Sequence, residues 1–168
     1  MNGLTPSTRA YSRYLLVIAG LGGLLYGIGY GVIAASMPYI KALGIFTDTQ
    51  VSLVVGAVMF GGILSSLTAG VLAERAGRRR MIIFSTALFL AAVPVVCLSG
   101  GSLAVMLTGR VLQGMSCGYM SVVMPMYLAE CLDSGSRGRG TGVFQLLLSI
   151  GLVAAAAAGL LVSRVYGA

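Results

Sequence analysis

Two short rows of polar side chains interrupt an otherwise apolar chain. Arg110 opens the first, and Gln113, Gly114, Cys117 and Ser121 continue it at helical spacing. Thr141, Gln145 and Ser149, each four residues from the next, form the second and share one face if the segment is a helix. A carboxamide supplies two donors and an acceptor, so Gln145 suits a neutral polyhydroxylated ligand, whose hydroxyls both donate and accept, better than an ion. Its alternative role is a hydrogen bond between helices. Arg110, a permanent charge about 10 Å along its helix by the usual rise, is either aimed at a ligand or ties helices together through hydrogen bonds.

Bond-making chemistry has little to work with here. The chain has no histidine, so no Ser-His-Asp arrangement can form, and none of its four carboxylates, Asp48, Glu74, Glu130 and Asp133, is paired inside an apolar run for acid/base work. Cys97, Cys117 and Cys131 share no metal-ligand spacing and read as small packing residues. The sequence calls for no enzyme, no cofactor and no metal.

The elements that hold these rows must lie in lipid. Apolar residues make up 58% of the 168 and charged residues only 9%, against about 25% charged in soluble domains. A helix needs about 20 apolar residues to cross a bilayer. Five windows of that kind are expected as spans, over 14–40, 51–73, 81–98, 103–126 and 141–163. Ser99-Gly100-Gly101-Ser102 divides the third from the fourth, and the first is too long for a signal-peptide core. The fold class is all-α, a polytopic transmembrane helix bundle.

Basic residues set the orientation. Arg9, Arg13, Arg75, Arg78, Arg79, Arg80, Arg137 and Arg139 fall on one side of five spans, with only Lys41 and Arg164 on the other. Retention of Lys and Arg in the cytoplasm makes 1–13 a cytoplasmic N-terminus and 74–80 and 127–140 cytoplasmic loops of a cell (inner) membrane protein. The net charge of +7 follows from that topology, and with no basic groove bearing interleaved aromatics, no nucleic-acid partner is called for. Small residues recur every four positions at Gly23, Gly27 and Gly31 and again at Gly151, Ala155 and Gly159. Such stripes admit another helix backbone at close range, either for static packing or as a sliding surface.

Several stretches carry a resemblance. Gly70-Val71-Leu72-Ala73-Glu74-Arg75-Ala76-Gly77-Arg78-Arg79 resembles the loop signature of the major facilitator superfamily between spans two and three. Arg110-Val111-Leu112-Gln113-Gly114, Pro125-Met126-Tyr127-Leu128-Ala129-Glu130 and Arg137-Gly138 resemble the sugar porter family's run around span four, and Tyr26-Gly27-Ile28-Gly29-Tyr30-Gly31-Val32-Ile33 is similar to its first-span motif. The resemblance implies alternating-access transport of a sugar or polyol, with Gln145, Tyr26 and Arg110 near the substrate. It implies for Glu74, Arg75, Arg78, Arg79, Glu130 and Arg137 a cytoplasmic gate of ion pairs, made in one state and broken in the other; for the arginines of the turn, orientation alone is the plainer reading.

The departures from the family carry as much information. Gly29 stands where proton-coupled members place an aspartate, and no other carboxylate lies in mid-membrane, so facilitated diffusion is expected. Arg110 must then use Tyr30, Gln113, water or the substrate in place of that aspartate. Glu74 replaces the more usual aspartate, a mild change, and Asp133 stands where a proline is common. The family builds twelve spans and this chain provides five, an incomplete N-terminal half, so transport requires a missing C-terminal half or second chain as partner. The alternative is a non-transporting membrane subunit or sugar sensor that acts through a partner.

Overall fold

The computed structural model describes residues 6–42, 44, 46–132 and 137–166, with side chains from 14 to 32 in the first helix and to 161 in the last. The N-terminal residues 1–5, the Asp133 position and the side chains of Arg9, Arg13, Lys41 and Arg164 lie outside the described part. Five helices follow one another: α1 (Pro6–Ala42), α2 (Asp48–Ala76), α3 (Arg78–Cys97), α4 (Leu103–Cys131) and α5 (Arg137–Tyr166). No strand occurs among the described residues.

Local chemistry places the helix ends. Thr47 caps α2, its hydroxyl accepting from the Gln50 amide at 3.4 Å while the Gln50 side chain accepts from the Thr47 amide at 2.9 Å, and Asp48 follows in the positive first turn. Gly77, at φ 88°, ends α2 by donating its amide to the Ala73 carbonyl at 3.1 Å, a backbone angle that side chains resist. Between α3 and α4 the expected break at Ser99 to Ser102 holds, with Gly100 and Gly101 both at positive φ.

The helices overrun the windows read from sequence. At about 1.5 Å per residue the 29 residues of α2 reach about 43 Å, past a hydrocarbon core of about 30 Å. The expected loop over 74–80 contracts to Gly77 alone, with Glu74 and Arg75 in the last turn of α2 and Arg78 to Arg80 in the first turn of α3. Likewise α4 continues to Cys131, so helix occupies the first part of the expected loop over 127–140, and α5 resumes at Arg137. Charged residues end the apolar runs without ending the helices.

The chain divides into two compact units, the first from α1 to Ala35, α4 from Pro125 and α5, the second from α2, α3 and α4 to Met124. In the first unit the glycine stripe of α1 lies on α5: Gly23 meets Phe144, Gly27 meets Leu148 and Gly31 meets Leu152 and Ala155. Both series rise together, so α1 and α5 run in the same direction. A Cβ on Gly27 would sit 2.8 Å from the Leu148 carbonyl carbon and 2.9 Å from the Leu152 nitrogen, so the α1 stripe packs directly on the α5 backbone.

In the second unit α2 and α4 are parallel and equally close, Gly61 lying on Val111 and Gly114 on Val58. The antiparallel α3 covers them, Val96 meeting Gly109 and Ser85 meeting Ser116. Ala69, Ala73, Met81, Tyr119 and Val123 form the core of this unit.

Four helices, α1, α2, α3 and α5, contain stretches long and apolar enough to cross a membrane, and α4 is not among them. Its 29 residues suffice in length, but Arg110, Gln113 and its serines make it less apolar. If α1 and α5 both cross, their parallel packing is consistent with the five spans expected from the sequence, α2, α3 and α4 lying between them. A polar helix can cross when its polar side chains are buried in protein, and Arg110, Gln113 and Ser116 all are. Large apolar side chains such as Phe60, Leu67, Leu90 and Leu160 meanwhile stand exposed, as a lipid-facing surface requires.

Candidate functional site

Arg110 is 4% exposed, one turn from the start of the tight α4 contacts, and its guanidinium donates to Gln113 Oε1 at 3.3 Å. Gln113 was among the neutral partners expected for it. The row that begins at Arg110 is buried through Cys117 and partly buried at Ser121. Gly114 is pressed onto the Val58 backbone, Cys117 is buried, and the Ser121 hydroxyl turns back to the Gly118 carbonyl at 2.9 Å. A helix carrying both large and small residues places its glycines where the neighbour comes closest, so Gly114 contributes closeness and no polarity.

Three interhelical links in this unit went unread in the sequence. Ser116 donates to the Ser85 carbonyl at 2.6 Å, Ser85 reaches the Met120 sulfur at 3.7 Å, and Thr68 pairs with the Tyr119 hydroxyl at 3.3 Å. Phe84 adds an edge contact to the Tyr119 ring with centroids 6.0 Å apart. Single serines and threonines in apolar runs satisfy themselves equally well on their own helix, so spacing alone gives no signal for such links.

Tyr26, Gln145, Glu130 and Arg137 belong to the first unit; Arg110, Glu74, Arg75, Arg78 and Arg79 belong to the second. In the first unit Phe144 is buried against Gly23, and its neighbour Gln145 is exposed on another face of α5. Ser149 shares that exposed face and returns its hydroxyl to the Gln145 carbonyl at 3.0 Å, and Thr141 bonds the carbonyls of Arg137 and Gly138 at 3.2 Å each. Both hydroxyls are thus engaged with backbone, which leaves the Gln145 carboxamide as the polar group that the row presents. Tyr26 is half-buried and stacks at a tilt on Tyr30, one turn on, with ring centroids 5.5 Å apart, and Gly29 beside them is buried. These aromatics form a flat, partly accessible surface on α1.

The helix-end charges stand in an arrangement that helix stability does not favour. Arg78, Arg79 and Arg80 open α3, and Arg137 and Arg139 open α5, with no acid in either first turn. Cations at the positive end of a helix dipole are each unfavourable by roughly 0.3–1 kcal/mol. Two of them turn back to the preceding helix. Arg78 reaches the Ala73 carbonyl at 3.5 Å and Arg137 Nε the Leu132 carbonyl at 3.1 Å, each five residues upstream, at the negative end of α2 or α4. Each arginine therefore pins the turn it follows, a structural task that the gate reading had not included. Glu74, Arg75, Arg79 and Glu130 are exposed at the same helix ends.

Among the described residues no cluster of His, Cys, Asp or Glu could hold a metal. Comparison with known proteins gives a consistent result. The model of the family described as "Sugar (and other) transporter" matches residues 15–168. The glucose transporter GlcP of Staphylococcus epidermidis is 32% identical over 145 residues, which are 86% of this chain and 32% of that protein. The galactose-proton symporter of Escherichia coli is 30% identical over 149 residues, 89% of this chain and 32% of that one. The high glucose sensor RGT2 of Saccharomyces cerevisiae is 30% identical over 148 residues, 84% of this chain and 19% of that one. Among solved structures, the proton:xylose symporter XylE, of the major facilitator superfamily, bound to 6-bromo-6-deoxy-D-glucose, superposes with a TM-score of 0.80 at 21% identity, over 94% of this chain and 38% of that one. The chain spans about a third of the length of the curated transporters it matches.

Proposed function

Since the chain belongs to the sugar transporter family of the major facilitator superfamily, whose relatives are sugar transporters and a glucose sensor and not enzymes, we propose that it forms part of the path for a sugar or polyol through a cell (inner) membrane. In this reading α1 and α5 contribute Tyr26 and Gln145 to the sugar, the aromatic for a ring face and the carboxamide for hydroxyls. Arg110, the third residue expected near the substrate, belongs to the second unit, where its guanidinium donates to Gln113. The exposed carboxamide of Gln145, beside hydroxyls already engaged with backbone, is the observation that carries the proposal.

Transport proceeds by alternating access, with facilitated diffusion as its energetics. Gly29 provides no acid to carry a proton, and the described carboxylates, Asp48, Glu74 and Glu130, lie at helix ends. The N-terminus faces the cytoplasm, where Glu74, Arg75, Arg78, Arg79, Glu130 and Arg137 form one side of a gate whose ion pairs differ between states. The rest of the path comes from a further half or second chain. Reconstitution with labelled hexoses tests this. Flux absent with the 168 residues alone, restored by a second half and unchanged by a protonophore fits the proposal; flux that collapses with the protonophore refutes facilitated diffusion, and loss of hexose binding in every assembly refutes the sugar site.

A second reading has one observation in its favour. A glucose sensor stands among the relatives beside the transporters, so a subunit that binds sugar and signals through a partner uses the same residues. Hexose binding without flux in the complete assembly distinguishes it.

A further inference from the structure

Local chemistry and tertiary contacts disagree about where α5 begins. Its first six residues, Arg137-Gly138-Arg139-Gly140-Thr141-Gly142, alternate with glycine. Each glycine inside a helix lowers its statistical weight about fivefold against alanine. Arg137 and Arg139 add cations at the positive end of the dipole, with no acid in the first turn. Thr141, by contrast, is a good N-cap residue and stands just before the apolar run that opens at Val143. Local preference therefore starts α5 at Thr141, one turn later than the observed start at Arg137.

Contacts with the end of α4 account for the extra turn. Arg137 Nε donates to the Leu132 carbonyl at 3.1 Å, and buried Gly140 lies against the side chains of Leu132 and Leu128. In this long form the Thr141 hydroxyl is turned back to the carbonyls of Arg137 and Gly138, at 3.2 Å each. Rotated forward, the same oxygen reaches the amides of Val143 and Phe144, which are the second and third positions of a helix capped at Thr141. The shorter helix still spans the membrane. Residues 142–166 make about 37 Å of helix against a hydrocarbon core of about 30 Å. The backbone freed by unwinding belongs to the arginine-bearing end, where water can satisfy it.

We propose that α5 is a helix with two starts, in which residues 137–140 switch between a turn docked on the end of α4 and an unwound form with Thr141 as the N-cap. Undocking releases the Leu132 carbonyl from Arg137 and uncovers Leu128 and Leu132 on the side that Gly140 covers. It also brings the start of the helix to within about one turn of Gln145. The switch is internal to the first unit and does not rest on the transport reading.

Residue-resolved hydrogen exchange of the chain in lipid nanodiscs, taken relative to intrinsic rates, tests the switch. The amides of Thr141 to Phe144 have ladder partners only in the long form, whereas Gln145 donates to the Thr141 carbonyl in both forms. Faster exchange at Thr141 and Gly142 than from Gln145 onward is therefore expected. Gly138→Ala, whose added Cβ meets nothing within 4 Å, favours the long form and is expected to slow exchange at Gly142 about fivefold. Arg137→Gln removes the bond to Leu132 and is expected to speed it about two- to tenfold. Thr141→Val decides between the switch and simple fraying. Loss of the cap disfavours the short form and slows exchange at Gly142 about fivefold, whereas a threonine that serves only the long helix, through its carbonyl bonds, gives faster exchange when removed. Faster or unchanged exchange at Gly142 in Thr141→Val overturns the proposal. Protection of Thr141 and Gly142 equal to that of Gln145 in the unsubstituted chain overturns it as well.

Discussion

Replacing Gly114 with alanine adds one methyl group at the point where α4 meets α2 most closely. The new Cβ would lie 2.8 Å from the Val58 carbonyl carbon and 3.0 Å from its Cα, with the Val58 carbonyl oxygen closer still. All three are backbone atoms of a helix and cannot rotate away. Ordinary contact begins at 3.4 Å, so the helices must part by at least 0.6 Å at the carbon alone. That movement loosens the flanking contacts of Gly61 with Val111 and Gly118 with Gly62, because the helices are rigid over one or two turns. Overpacking of this kind costs about 1–3 kcal/mol, against which the helix gains roughly 0.5–1 kcal/mol from alanine over glycine. The net expectation is destabilisation of up to about 2.5 kcal/mol. Gly56→Ala on α2 isolates the propensity part, since nothing lies within 4 Å of its added Cβ, and it is expected to be neutral or stabilising. Unfolding of the purified chain by SDS titration, followed by helical circular dichroism, reads both. Equal unfolding midpoints for Gly114→Ala and Gly56→Ala would refute the close crossing of α2 and α4.

Further outcomes follow from single side chains. Gln145→Leu changes an exposed residue and is expected to leave the unfolding midpoint in place while weakening hexose binding about two- to tenfold per hydrogen bond lost, measured by equilibrium binding of labelled sugar. Ser116→Ala removes the 2.6 Å bond to the Ser85 carbonyl and is expected to cost about 0.5–1.5 kcal/mol in the same SDS titration. A maleimide that partitions into bilayers is expected to label Cys97, which is exposed, well ahead of Cys117, which is buried, and mass spectrometry of the two peptides checks the order. Arg137→Gln loses its bond to the Leu132 carbonyl, and faster amide hydrogen exchange at the end of α4 is the expected consequence.

Membrane residence and helical class were legible because both are additive properties of the chain. Burying five long apolar runs away from water outweighs any local preference, so windows over 14–40, 51–73, 103–126 and 141–163 fall inside real helices despite charges nearby, and the window over 81–98 ends one residue past α3. The glycine stripes were legible too, since a period of four residues is the geometry of one helix face. Helix ends were less so. Arg75, Glu74 and Arg78 to Arg80 ended the apolar windows, yet a charged residue outside lipid remains a good helix former, and it took the positive φ of Gly77 to stop α2.

What the stripes touch, and which polar groups meet, depended on tertiary structure. Sequence spacing gave Arg110, Gln113, Gly114 and Cys117 one face, but whether that face meets water or a neighbouring backbone depends on a second helix that spacing does not contain. Packing decided it, placing Gly114 on Val58 and Arg110 against Gln113. The parallel run of α1 and α5 is likewise a relation between distant segments, which the composition of neither helix contains. Composition is summed along one dimension and survives folding unchanged. Contacts between helices arise only when segments a hundred residues apart are brought together, and there the sequence by itself stops and the tertiary structure decides.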